Sequence, residues 1–215
     1  ISETPVFLPT RLKDQLVLAC EEISEVICNP DFKERTKHAI KDINLVVPNE
    51  DKHAKFIAMD FGICHDQNGE PIPQLIEVQG FPSLYFFQLH LGESFRKFFD
   101  IPDHLTSFFG GLTREAYVDL LRKEIVGNCK PENVVLLEIE PEKQATRIDF
   151  LVTEYYLGIK VLCLSKVIKE GRDLFYINEN GSKIEIKRIY NRVIFDELTQ
   201  RPDFRYEFNF NEPIN

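Results

Sequence analysis

The stretch Asn133 to Ser165, NVVLLEIEPEKQATRIDFLVTEYYLGIKVLCLS, decides the fold. NVVLLEIE is a short, nearly continuous apolar strand, KQATRIDFLVTEYYLG an amphipathic helix ended by Gly158, and IKVLCLS a second buried strand. Strand, helix and strand at this spacing predict a right-handed βαβ unit of an open α/β sheet, because parallel neighbours need a crossover that a helix supplies. Downstream, DLFYIN and SKIEIKRIY flank Asn180-Gly181 and read as a hairpin, followed by NRVIFDEL.

Upstream the grammar is helical. TREAYVDLLRKEIVG and SLYFFQLHLGESFRKFFD predict helices joined by the aromatic, Gly-containing segment IPDHLTSFFGGL. Phe86, Phe87, Phe95, Phe98, Phe99, Phe108 and Phe109 form an aromatic group, read as core or domain interface, with a substrate-lining surface as the alternative. Near the start, Leu12, Leu16, Ala19, Ile23, Val26 and Ile27 recur at helical spacing until Asn29-Pro30 stops the run. A second short helix, DFKERTKHAIKDI, takes Asp31 as its N-cap residue. The expected divisions are a helical and hairpin segment with a Phe-rich insert over 1–130, an α/β unit over 131–200 and a tail over 201–215.

The 215 residues, 43% of them hydrophobic and 18 of them Phe, can bury one large core or two small ones. A net charge of -9 argues against duplex nucleic acid as a partner, since such binding relies on a basic face. No apolar run approaches the length of a membrane span and no signal peptide is evident, although the first residue is Ile, which points to a removed N-terminus. The five cysteines, Cys20, Cys28, Cys64, Cys129 and Cys163, show no Cys-x-x-Cys spacing and fit reduced thiols in the cytoplasm, with Cys20 and Cys28 expected on a helix.

The chemistry concentrates in FIAMDFGICHDQNGEPIPQLIEVQGFPS, Phe56 to Ser83. Its Asp60-Phe61-Gly62 is not the metal-binding tripeptide of a protein kinase, which would need an upstream Gly-rich loop; the 59 residues before Asp60 contain no glycine. Instead, strands 56–63 and 74–79 around an Asn68-Gly69 turn would set Asp60 opposite Glu77, with Gln79 on the same face. Pro71 and Pro73 are expected in a wide loop, because neither can donate to a ladder. Facing carboxylates repel, and a divalent cation between them reverses the sign. Two carboxylates and an amide oxygen are the hard ligands that Mg2+ prefers, especially beside phosphates. The alternative is that Asp60 ends a strand while Glu77 and Gln79 face water. Cys64-His65 is a poor nucleophile and base pair, since neighbours on a strand point to opposite faces. His38, His53, His90 and His104 have no metal spacing and read as surface or packing residues.

An Asp at the end of one strand followed by a Glu-x-Asn-like ending of the next resembles the metal-binding hairpin of circularly permuted ATP-grasp ligases, the group containing glutathionylspermidine synthetase. The segment from Asp149 to Leu198 resembles that family's pre-ATP-grasp unit, with Leu157-Gly158 before a strand and Tyr190-Asn191-Arg192 on another. The resemblance implies a Rossmann-like pre-ATP-grasp βαβ unit, and Asp60, Glu77 and Gln79 as ligands of the magnesium ions of bound ATP. It also implies Arg192 as a candidate phosphate or carboxylate contact, the alternative being a salt bridge with Asp196 or Glu197. Ala58 stands where the family carries an Arg, and Gln79 where it carries Asn. The family's nucleotide-clamping lysines would follow Arg192, so the resemblance implies a fragment of a longer protein, inactive alone.

The activity implied is that of an ATP-dependent, Mg2+-requiring ligase joining a small-molecule carboxylate to an amine or thiol through an acylphosphate. The alternatives are a degenerate ATP-grasp scaffold that binds without catalysis and a plain α/β domain with solvated hairpin carboxylates. The expected setting is cytoplasmic, with neither membrane nor nucleic acid as a partner. Self-association into a homo-oligomer is one way to cover the Phe-rich segment.

Overall fold

The computed structural model describes residues 3–40, 49–52, 54–81 and 83–215. Among them it is a mixed α and β protein with six α-helices and three small sheets. It divides into two compact units, Ile1–Phe81 and Pro82–Asn215. Residue 130, where the sequence suggested a boundary, lies inside the second unit.

In the first unit, helix α1 (Thr10–Cys28) follows Pro9 and ends at Asn29, whose extended backbone leads into Pro30. Its predicted apolar stripe is only half-buried. Leu12 is enclosed, Leu16, Ala19, Ile23 and Ile27 are partly covered, and Val26 is exposed. Cys20 is partly covered on this helix, whereas Cys28 is exposed. Helix α2 (Phe32–Thr36) is shorter than expected and runs into a 3₁₀ turn, Lys37–Ile40. Asp31 precedes it but makes no side-chain cap bond, having helical rather than extended backbone angles. Residues 41–43, the predicted end of this helix, and His53 lie outside the described residues.

Strands β1 (Ala58–His65) and β2 (Pro71–Gln79) form an antiparallel hairpin, and α1 packs against β2. The hairpin corrects two expectations. Pro71 and Pro73 belong to β2, opposite His65 and Ile63, rather than to a wide loop. The Asp66 N–H donates to the Glu70 carbonyl, which puts both prolines at positions whose nitrogens point away from the partner strand, where no donor is needed. The turn is also longer than a two-residue Asn-Gly connection. It runs from Asp66 to Glu70, with Asp66 Oδ1 accepting from the N–H groups of Asn68 and Glu70 and Gly69 held at φ +80°.

The second unit grows from β3 (Val134–Glu138), all of it buried. Helix α5 (Arg147–Leu157) carries the chain from β3 to β4 (Lys160–Cys163), which pairs parallel to it, as the apolar strand, amphipathic helix and Gly158 predicted. Gly158 closes α5 at φ +70°, its N–H bonded to the Glu154 carbonyl. Strands β5 (Ile168–Glu170), β6 (Asp173–Ile177) and β7 (Lys183–Ile186) make an antiparallel sheet with its β6–β7 turn at Asn180-Gly181. The run SKIEIKRIY, expected as one strand, is two. It breaks at Lys187, whose N–H donates to the Asn133 carbonyl, and β8 (Arg188–Asn191) joins β3 in parallel, giving the order β4-β3-β8.

Alternation along β3 then separates two faces. Val135, Leu137 and Ile139 pack with Leu162, Leu174, Tyr176 and Ile186 against the antiparallel sheet. Val134, Leu136 and Glu138 turn to the opposite side, that of α5. Helices α3 (Tyr85–Phe98) and α4 (Arg114–Ile125) complete this unit, α3 packing against α5. A short last helix, α6 (Phe195–Thr199), follows β8. The phenylalanines do not form one cluster. Phe86 is buried and stacked on Tyr156, while Phe98, Phe99 and Phe109 are exposed.

Candidate functional site

The hairpin brings Asp60, Glu77 and Gln79 together. Asp60 pairs with Glu77, as the sequence suggested, but by a different route, and Ala58 pairs with Gln79. The five-residue turn starts the ladder one position out of the expected register. A bulge between Asp60 and Phe61, where β2 carries Ile76 as an extra residue, restores it. Near the open end of the hairpin the two carboxylates therefore face each other, both exposed to solvent.

Gln79 mediates between them. Its Nε2 donates to Glu77 Oε1 at 2.5 Å and to Asp60 Oδ2 at 3.4 Å. An amide N–H dipole thus supplies the partial positive charge that a pair of facing carboxylates needs. Turned over, the same amide would present its oxygen to the same point, so the three side chains fit a hard divalent cation with two carboxylates and one carbonyl. Among the described residues no group of three or more His, Cys, Asp or Glu side chains is gathered for a metal, so the amide is essential to that fit. Ala58 brings no cation to the hairpin. Cys64 and His65 are successive exposed residues of β1.

In the second unit, Arg192 is 3% exposed, and its Nη1 lies 3.6 Å from Asp149 Oδ2 of α5. Among the described residues its ion-pair partner is Asp149, not the Asp196 or Glu197 considered from sequence. The guanidinium also lies over the Phe150 ring, 5.3 Å from its centroid. It follows β8, its N–H donating to the Leu137 carbonyl, and so stands beside Glu138 at the carboxyl end of the parallel strands.

Glu138 and Asp149 are the ionisable residues that sequence reasoning passed over. Glu138 is 5% exposed, and its Oε1 accepts from the N–H of Ile139. Burial pushes its carboxyl up to about 7, against the opposing effects of that N–H and of Arg192, while Glu197 adds to the rise. Asp149 is also raised by burial, with Arg192 and the N–H groups of Phe87 and Leu84 working the other way. The Tyr117 and Tyr190 hydroxyls are raised by the same burial. One signal was available: Glu138 interrupts an otherwise apolar strand, and Asp149 sits among the apolar residues of its helix.

No protein-family model, no curated protein and no solved structure matches this chain. The two constellations thus have to be read from their own chemistry.

Proposed function

We propose that this chain is part of an ATP-dependent ligase of the circularly permuted ATP-grasp type, in which Asp60, Glu77 and Gln79 hold Mg2+. The observation that carries the reading is the facing pair Asp60 and Glu77 with the Gln79 amide bridging both. Bound there, Mg2+ would neutralise phosphate charge during acyl phosphate formation. The chain's own part is to hold two carboxylates and an amide at fixed spacing on rigid strands. The parallel β4-β3-β8 arrangement with its α5 crossover supports a Rossmann-like pre-ATP-grasp unit. Arg192 is the guanidinium at the carboxyl end of those strands, and engaging a phosphate or carboxylate there would require it to leave Asp149. Small-molecule carboxylates and amines are the substrates of this reading, and a cytoplasmic setting agrees with five cysteines outside any disulfide.

A second reading, a scaffold that binds without turnover, is favoured by Ala58, which offers no guanidinium to a transferring phosphoryl group. Titration calorimetry with Mg2+, alone and with ATP, tests both readings. Asp60→Asn and Glu77→Gln should each weaken Mg2+ binding at least about tenfold, or roughly 1.4 kcal/mol. Equal affinity in the parent and both variants would sink the metal assignment. Mg2+ and ATP binding without phosphoryl transfer to any carboxylate would favour the scaffold.

A further inference from the structure

We propose that Glu138, Asp149 and Arg192 form a proton-operated latch for the first turn of α3, closed while Glu138 is protonated and loosened when it ionises. The inference does not rest on the ligase reading, since it concerns only groups inside the second unit.

The latch begins with how α3 is held. Its N-cap residue, Leu84, has left-handed backbone angles and makes no side-chain cap bond. The capping acceptor comes instead from another helix. Asp149 of α5 accepts from the Leu84 N–H at 3.3 Å and the Phe87 N–H at 3.1 Å. These are N–H groups that the start of a helix leaves without an intrahelical partner. Asp149 is 1% exposed, so it needs a counter-charge, and Arg192 supplies it.

Glu138 stands next to that pair. Among the described residues it takes part in no ion pair, although it is as deeply enclosed as its neighbours. The groups around it are Arg192 after β8, Glu197 on α6 and the N–H of Ile139. Arg192 is the group that Glu138 and Asp149 of α5 share, since its charge acts on both carboxyls. Tyr85 on α3, Tyr117 on α4 and Tyr190 on β8 surround Asp149 and Arg192, and Cys163 occupies the paired position on β4. The only cation in this set is Arg192.

The charge balance decides the rest. With Glu138 protonated, one carboxylate and one guanidinium cancel, and Asp149 keeps its counter-ion and both amides. With Glu138 ionised, two buried carboxylates compete for one guanidinium. A buried negative charge held by one backbone N–H and no counter-ion in contact is costly, so Arg192 is drawn toward Glu138 and away from Asp149. Asp149 is then held only by the amides of α3, and the docking of that helix end bears the cost.

Amide hydrogen exchange at Leu84 and Phe87 in the whole 215-residue chain tests the latch, with rates corrected for the intrinsic pH dependence. Protection should fall about fivefold or more from about pH 6 to about pH 8 in the parent and stay level in Glu138→Gln. A level profile in the parent, or the same fall in Glu138→Gln, would overturn it. Carbon-13 titration of the Glu138 carboxyl in the unaltered protein needs no variant to fold. A midpoint near neutrality is expected, and one in the ordinary glutamate range rules the latch out.

Discussion

Asp60 and Glu77 face each other in water on a two-stranded hairpin, whereas Glu138 and Asp149 sit inside a packed unit with one guanidinium beside them. The two sites accommodate two negative charges by different means. At the hairpin, solvent screens the charges and the Gln79 amide supplies donors, so both carboxylates remain available to a cation. In the second unit burial removes most of the screening by solvent, and a proton becomes the less costly counter-charge. The contrast follows from the cores. Among the described residues of the first unit only Leu12 is a buried hydrophobic side chain, while the second encloses all of β3 and the residues packed against it.

Removing core volume tests that difference most strongly. Leu137→Ala should destabilise the second unit by about 2–5 kcal/mol in urea unfolding, because close-packed neighbours on both sides cannot collapse into the space. Leu12→Ala should cost less than the low end of that range, roughly 1–2 kcal/mol, because its half-covered surroundings can relax. Equal costs would mean that the first unit is packed as tightly as the second.

Glu138→Gln should come next in size. A carboxyl raised from its usual value to about 7 binds a proton more tightly folded than unfolded. Its stabilising contribution is thus complete below the unfolded value and disappears as pH rises through about 7. The parent should lose up to roughly 3 kcal/mol between about pH 5 and pH 8, and Glu138→Gln should remove most of that slope. Denaturant midpoints across this range measure it.

Smaller effects are expected at helix ends of the second unit. Gly158→Ala places a side chain at φ +70° with only ordinary contact to Pro131 Cβ at 3.7 Å. The cost is therefore backbone strain alone, about 1 kcal/mol. Thr113 Oγ1 accepts from the Ala116 N–H at the start of α4, and Thr113→Ala should also cost about 1 kcal/mol. Thermal unfolding measures both.

The contrast also marks how far the sequence could be read. The β3, α5 and β4 succession was legible because periodicity, length and a closing glycine all agreed over adjacent residues. So was the meeting of Asp60 with Glu77, although by compensation: the longer turn displaced the register and the bulge at Ile76 restored it. Pro71 and Pro73 were misread because a proline's tolerance depends on which way its nitrogen points, and the ladder phase decides that. The continuous run SKIEIKRIY concealed a change of sheet at Lys187, since both pieces have the same strand character.

Local chemistry in the sequence thus determined the element types, the parallel pair joined by a helix, and the hairpin that carries Asp60, Glu77 and Gln79. Only the tertiary structure decided that Arg192 pairs with Asp149, that Asp149 caps α3, and that Glu138 is buried beside them. The Asp149 contacts join residues 43 to 65 positions apart, closed by packing rather than by neighbouring residues. The propensity of a short segment holds no record of which distant charge will share its interior.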